Sequence, residues 1–418
     1  MDLMNEPSHL AWLDEEMRRL VRFGVAGADP RGGFGWLLDD GTRDPARPVE
    51  LWITCRMTHV YALAELLGID GAAAMVEHGL AALEGPLRDA VNGGWFASID
   101  EGPANDRKEA YAHSFVILAT SSAVAAGHPR ATALLNEAIA VHTERFWDEA
   151  EGMARESFSR DWGTEEPYRG VNANMHTVEA YLAAADVLND EELLGRAVRI
   201  VSRAVNDFAR GNEWRLPEHF TAKWEPLLDF NADAPAHPFR PFGATIGHGL
   251  EWSRLTLQAE QSLARRGLEV PEWMAPAAGS LYGTAVRDGW AVDGADGFVY
   301  TTDWNGVPVV RERMHWVAAE AIGAAAVLFA RTTDARYAAD YEKWWAYTRE
   351  YLVDLEQGSW RHELDHNNAP SRLVWEGKAD LYHAVQATLF PRLPIAPSLA
   401  TSLVEGNLPG GAPTIQRD

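Results

Sequence analysis

Six of the fourteen histidines recur at similar intervals: His59, His113, His176, His248, His315 and His383, separated by 54, 63, 72, 67 and 68 residues. Each lies near the start of an apolar, Ala/Leu-rich stretch, where a polar ring needs a partner or a solvent-filled cavity. Imidazole, with an unperturbed pKa of about 6.5, takes and returns a proton near neutrality. Helical spacing places other polar groups on the same faces. Trp52 and Arg56 are four apart with His59 beyond, Asn172 and His176 are four apart, and His248 and Glu251, like Asp380 and His383, are three apart. Glu251 follows His248 by one turn and is placed to hold that imidazole in one tautomer and raise its basicity. Arg56 cannot deprotonate, so its fork of donors suits an oxyanion or hydroxyl clamp. The ordinary roles of such residues are a core histidine bonded to a carbonyl and an arginine paired with a carboxylate. Six histidines in register favour at least two in catalysis, with His59, His113 and His315 read as structural or cavity-lining. The chemistry that fits is proton transfer next to a carbonyl, with a donor to stabilise the enediolate oxygen.

Metal and cofactor chemistry find no motif. The chain lacks HExxH and paired cysteines, and His176-x-x-Glu179 and His248-x-x-Glu251 reverse the Glu-x-x-His order of di-metal bundles. GxxxxGK[ST] and a convincing GxGxxG are absent as well, so neither a catalytic metal nor a cofactor is expected.

The elements that carry these residues repeat. Six segments pairing a glycine or polar residue with a large side chain, Gly35-Trp36, Gly94-Trp95, Gly152-Met153, Glu213-Trp214, Gly297-Phe298 and Ser359-Trp360, read as short strands or hairpins. Between them, amphipathic helices such as Ser8 to Gly24, Ala131 to Arg145, Glu191 to Asn206 and Ala335 to Asp354 alternate with apolar helices starting near 52, 109, 172, 246, 314 and 378. Helices apolar around most of their circumference belong between an outer layer and an axis. The expected fold is all-α, an (α/α)6 barrel: six outer/inner helix hairpins in a closed toroid, with short β-hairpins at one rim. Residues 1–418 then form one catalytic domain, with 394–418 an extended tail wrapping the surface. The fourth unit carries a long insertion, Thr221 to Thr245, rich in Pro, Asp and aromatics, including Phe239 and Phe242. A rim or lid over the central cavity is expected there.

Composition narrows the classes. The chain has 418 residues and a net charge of −24, and no Lys/Arg-rich run, so nucleic acid and anionic membrane are not expected partners. The Met-Asp-Leu-Met-Asn-Glu-Pro start lacks a signal-like basic and apolar stretch, and the single Cys55 fits a reducing compartment, which together point to the cytoplasm. Oligomeric state is left open, a homo-oligomer included. The 17 tryptophans exceed both Tyr and Phe, and indole faces serve sugars and cores equally well.

Gly33-Phe34-Gly35-Trp36-Leu37, Leu51-Trp52-Ile53-Thr54-Cys55-Arg56-Met57, Asn172-Ala173-Asn174-Met175-His176, Gly247-His248-Gly249-Leu250-Glu251-Trp252, Asp293-Gly294-Ala295-Asp296-Gly297 and Trp375-Glu376-Gly377-Lys378-Ala379-Asp380-Leu381-Tyr382-His383 together resemble the N-acylglucosamine 2-epimerase superfamily. Within it they are most similar to the aldose–ketose isomerases acting on mannose or sulfoquinovose. The resemblance covers nearly the whole chain and implies the same barrel and metal-free isomerisation of a monosaccharide through a cis-enediol. It implies that His383 shuttles a proton between C1 and C2, while His248, backed by Glu251, opens the ring and moves protons on the oxygens. By the same resemblance Arg56, Asn172 and His176 hold hydroxyls, Trp52, Tyr111, Phe242, Trp316 and Trp375 form walls, and Met175 belongs to the binding motif. His362 and Ala379 stand where sulfoquinovose-type relatives carry amides. This favours a neutral hexose, mannose to fructose, over a sulfosugar.

The alternatives are a sulfoquinovose isomerase, a sugar 2-epimerase, an α/α-barrel glycosidase using carboxylates such as Asp303 and Asp365, and a non-catalytic sugar-binding regulator.

Overall fold

The structure is a computed structural model that describes residues 3–408. Twelve helices alternate between two concentric rings. In chain order the outer and inner partners are α1 (Pro7–Gly24) and α2 (Leu51–Leu66), α3 (Ala72–Glu84) and α4 (Ala110–Ala126), α5 (Ala131–Val141) and α6 (Val171–Leu188). Then come α7 (Glu191–Val201) and α8 (Ile246–Arg265), α9 (Met274–Gly289) and α10 (His315–Thr332), α11 (Ala335–Tyr347) and α12 (Tyr382–Leu389). The chain forms an (α/α)6 barrel, as its sequence repeat predicts.

Sequence explains the layering. In α2 every residue from Leu51 to Ala64 is buried, because the helix is apolar all round and packs on both rings. In α7 only Leu193, Leu194, Ala197, Ile200 and Val201 are buried, a single stripe, and Asp190 caps its start by accepting from the amides of Glu192 and Leu193. Outer helices α5, α7 and α11 continue into wider π-helical turns at His142–Phe146, Ser202–Ala209 and Thr348–Leu352.

Short antiparallel strands join neighbouring units at the rim from which the inner helices start. The strand leading into an inner helix pairs with the hairpin of the next unit: Val49–Glu50 with Ser98–Ile99, Lys108–Glu109 with Ser157–Phe158, Tyr168–Gly170 with His219–Thr221, Ala244–Thr245 with Thr301–Thr302, and Arg313–Met314 with Glu363–Leu364. The last unit closes on the first through two hydrogen bonds, Lys378 N to Leu37 O at 2.8 Å and Trp36 Nε1 to Glu376 O at 2.8 Å.

Two expectations are corrected. The last inner helix starts at Tyr382, not near 378, because Lys378 is taken up in that closing contact and Asp380 Oδ1 accepts the Tyr382 amide at 2.8 Å. Residues 395–408 do not wrap the surface. They turn inward, and helix α13 (Leu399–Val404) buries Leu399, Ala400 and Leu403 against α2, α4 and α6 at the far end of the barrel. The remainder of that tail, 409–418, lies outside the described residues.

Candidate active site

The inner helices share a polarity, so equivalent positions form rings around the axis. The second residue of each is Trp52, Tyr111, Asn172, Gly247, Trp316 and His383; the sixth is Arg56, Phe115, His176, Glu251, Glu320 and Ala387. Five of the six second-position residues line one cavity, together with Arg56, His176, His248, Glu251, Tyr300, His315, Trp375 and Asp380. Gly247 is the exception for a steric reason: a Cβ there would lie 2.1 Å from the Trp316 ring. The glycine makes room for the indole, and His248 reaches the cavity from the next position.

Two imidazoles flank that indole. Ring centroids are 5.3 Å apart for His248–Trp316 and 5.7 Å for Trp316–His383. His383 Nδ1 lies 3.0 Å from Glu320 Oε1, and Arg254 Nε donates to Glu320 Oε2 at 2.9 Å. His248 Nδ1 lies 2.9 Å from Glu218 Oε1, on the segment leading into the Tyr168–Gly170/His219–Thr221 strand pair. In each case the carboxylate engages one ring nitrogen and fixes the tautomer, leaving Nε2 for substrate. Glu251 therefore does not hold His248. It points toward His176 Nδ1 at 3.9 Å and Arg254 Nη2 at 3.5 Å, because one helical turn along α8 carries it to the cavity floor.

Arg56 is buried with both ordinary and functional partners. Its Nη1 lies 3.2 Å from Asp380 Oδ2, and its Nη2 donates to Tyr111 Oη at 3.0 Å. The guanidinium also stacks over Phe115 and Tyr382. Burial opposes its charge, but Tyr111 and Asp380 outweigh that effect and Arg56 stays protonated. Burial raises Asp380 and the guanidinium more than reverses this, holding the carboxyl below its usual range. Burial and then Arg56 hold His383 well below the usual imidazole value. His176 is lowered to about 4 by burial, opposed by Glu179, and His315 to about 4 by burial. These rings are neutral at physiological pH, the form that accepts a proton.

The aromatic mouth departs in part from expectation. Trp36 stacks on Trp375 at 5.8 Å, Trp52 meets both edge-on, and Phe239 packs on Trp52, Tyr111 and Trp375. From the inserted loop it is Phe239, with Pro238, that lines the cavity, and Phe242 does not. Met175 is wholly buried in the core and does not line the cavity. Trp52, Tyr111, Asn172 and Phe239 are shared with a wider outer basin of about 730 Å3.

Of the six recurring histidines, four line the cavity. His113 is spent on the Trp95 amide and the Glu109 carbonyl, and His59 on Ser122 and Gln386 deep in the barrel. A fifth cavity histidine, His362, comes from the hairpin before α12 and stacks on His315 at 3.7 Å. Glu218 and Glu320 were not anticipated. Glu320 had a usable signal, a lone carboxylate in the apolar run Val317 to Phe329, which burial obliges to find a cation. Glu218, in a loop-like stretch, had none.

A profile of the N-acylglucosamine 2-epimerase (GlcNAc 2-epimerase) family matches residues 32–387, and the chain belongs to that family. It is 52% identical over 399 residues to a D-mannose isomerase of Thermobifida fusca, covering 95% of this chain and 97% of the relative. A D-mannose isomerase of Pseudomonas cannabina pv. alisalensis is 49% identical, with 96% of each chain covered. Among solved structures, a crystal structure of a D-mannose isomerase superposes with a TM-score of 0.85 at 28% identity, covering 93% of this chain and 99% of the other.

Proposed function

We propose that the protein is an aldose–ketose isomerase interconverting D-mannose and D-fructose without a metal, and that the whole chain serves as one catalytic domain. The carrying observation is the pair of imidazoles, His383 and His248, each fixed by a buried carboxylate and facing one aromatic-walled cavity. Full-length similarity to D-mannose isomerases supports the choice of sugar.

In this reading His248 assists ring opening, and His383 Nε2 then takes the C2 proton of the open aldose. Electrons move from the C2–H bond into C1–C2 while O1 gains a proton, giving the cis-enediol. His383 returns its proton to C1, the O2–H electron pair closes the C2 carbonyl, and His248 recovers from O2 the proton it gave to O1. Arg56 clamps the oxygens as charge builds on them. Asn172 and His176 hold hydroxyls, and Trp52, Tyr111, Trp316 and Trp375 form the walls. Glu218 and Glu320 act through the histidines they hold and are positioning residues.

The test is proton NMR of mannose, fructose, glucose, lyxose, N-acetylglucosamine and sulfoquinovose with EDTA-treated enzyme. Mannose–fructose interconversion is expected. Turnover restored only by a divalent metal, or confined to C2 inversion or to sulfoquinovose, would overturn it. Among the described residues no helix is long and apolar enough to cross a membrane, and the lone buried Cys55 supports placing the enzyme in the cytoplasm.

A further inference from the structure

At the cavity floor and beneath it the barrel holds an excess of carboxylates. Apart from the His248–Glu218 pair, Glu179, Glu251, Glu320 and Asp380 are all buried, and the fixed cations among them are Arg56 and Arg254. Asp380 is satisfied by Arg56 and Glu320 by Arg254 and His383. Glu179 Oε1 accepts from Gln386 at 3.2 Å, and its Oε2 accepts from the Tyr382 hydroxyl. Glu251 is served less closely, by Arg254 Nη2 at 3.5 Å. Its Oε1 has no hydrogen-bond partner, and neither does His176 Nδ1, although the residues are 1% and 4% exposed.

These two orphaned atoms face each other across 3.9 Å, and His176 Nδ1 lies 3.5 Å from Glu179 Oε2. The three ligand-type atoms, one imidazole nitrogen and two carboxylate oxygens, all fall within 4.8 Å of one another. Tetrahedral zinc bonds of about 2.0–2.2 Å put neighbouring ligand atoms roughly 3.3–3.5 Å apart, so shifts of a few tenths of an ångström to about an ångström complete the set. Access exists, because His176 and Glu251 both line the sugar cavity. Arg254 Nη2, 3.5 Å from Glu251 Oε1, is the opposing charge. Its guanidinium is held in place by Nε on Glu320 at 2.9 Å and Nη1 on Gln258 at 2.7 Å, and its Nη2, on the side of the cluster, makes no hydrogen bond.

We propose that His176, Glu179 and Glu251 form a seat for one divalent transition ion of borderline softness, Zn2+ or Co2+, and that its occupancy arrests the enzyme by taking the Nδ1 lone pair of His176. Mixed imidazole and carboxylate donors suit this class better than Mg2+ or Ca2+, which want oxygen alone. The seat shares His176 with the proposed sugar site but takes no part in the isomerisation, which uses no metal; only the arrest rests on that reading.

Calorimetric titration of the EDTA-treated protein with Zn2+ should give one tight site, weakened at least tenfold in both Glu251→Gln and Glu179→Gln and retained in His362→Asn. X-ray absorption of the Co2+-loaded wild type should show one imidazole among oxygen ligands, a readout that needs no variant to fold. No tight site, affinity unchanged in both glutamine variants, or two or more imidazoles on cobalt would overturn the seat. Zn2+ should inhibit mannose turnover by the wild type with the affinity found by calorimetry, and full turnover at saturating zinc would overturn the arrest while leaving the seat standing.

Discussion

The two walls that present imidazoles to the cavity are built differently. On one, His383 on α12 is held by Glu320 from α10, which is tied in turn to Arg254 on α8, so three inner helices lock one ring. On the other, His248 on α8 is held by Glu218, from the segment between the hairpin and the inserted loop at the rim. The first carboxylate is fixed by a buried cation and surrounded by helix. The second hangs from short strands and a loop that also supplies Phe239. Regular helices give a more exact placement than rim loops, so the ring that must stay aligned with carbon is expected on the first wall and the ring that serves mobile oxygens on the second.

Replacing His383 by Ala should cost the most, a fall in kcat of about 10³-fold or more with loss of C2–H exchange in D2O, as for a removed general base. If His248→Ala alone abolishes the exchange, the roles of the walls are reversed. Glu320→Gln should lower kcat by about 10²-fold with KM little changed, and it should also lower thermal stability because the buried Arg254 loses its nearest carboxylate. Glu218→Gln should cost about 10-fold in kcat at unchanged stability; equal effects of the two glutamines would erase the distinction between the walls. Phe239→Ala should raise KM for mannose about 5-fold without a matching change in kcat, since the ring closes the mouth and does not touch the moving proton.

The pH dependence is the mildest effect. His383 and His176 are held below the free imidazole value, so the acid limb of kcat/KM should have its midpoint below about 6.5; a midpoint above it would contradict neutral buried rings. Stability follows the same sign. His59 at about 4 and His113 at about 3, both lowered chiefly by burial, bind protons more readily unfolded than folded. Above the unfolded value they add nothing, and as pH falls from about 6.5 toward 4 the unfolded state gains protons and the melting temperature should drop.

The barrel was legible because its cause is periodic. Apolar inner helices, striped outer helices and a recurring turn segment all follow from one packing problem solved six times. The site was legible where helix geometry alone set neighbours, as for Trp52 with Arg56 and Asn172 with His176. It was not legible where partners come from distant segments: Glu218 meets His248 across 30 residues, and Glu320 meets His383 across 63. Spacing made Glu251 the obvious partner of His248, and the turn of α8 took it elsewhere. The register of histidines also overstated their likeness, since His59 is the ninth residue of its helix and His315 the first.

The seam between the last unit and the first joins residues some 340 positions apart through Lys378 with Leu37 and Trp36 with Glu376. Each of the five strand pairings at the rim links adjacent repeats and can form as soon as the next hairpin exists, whereas this seam waits for the whole circle. Loop-closure entropy grows as about (3/2)RT ln n, so the seam carries the greatest entropic cost of any rim contact. Trp36 and Trp375, stacked across it, are also the aromatic wall of the mouth. Completion of folding and completion of the substrate entrance are therefore one event, and a chain arrested short of ring closure has helices but no doorway.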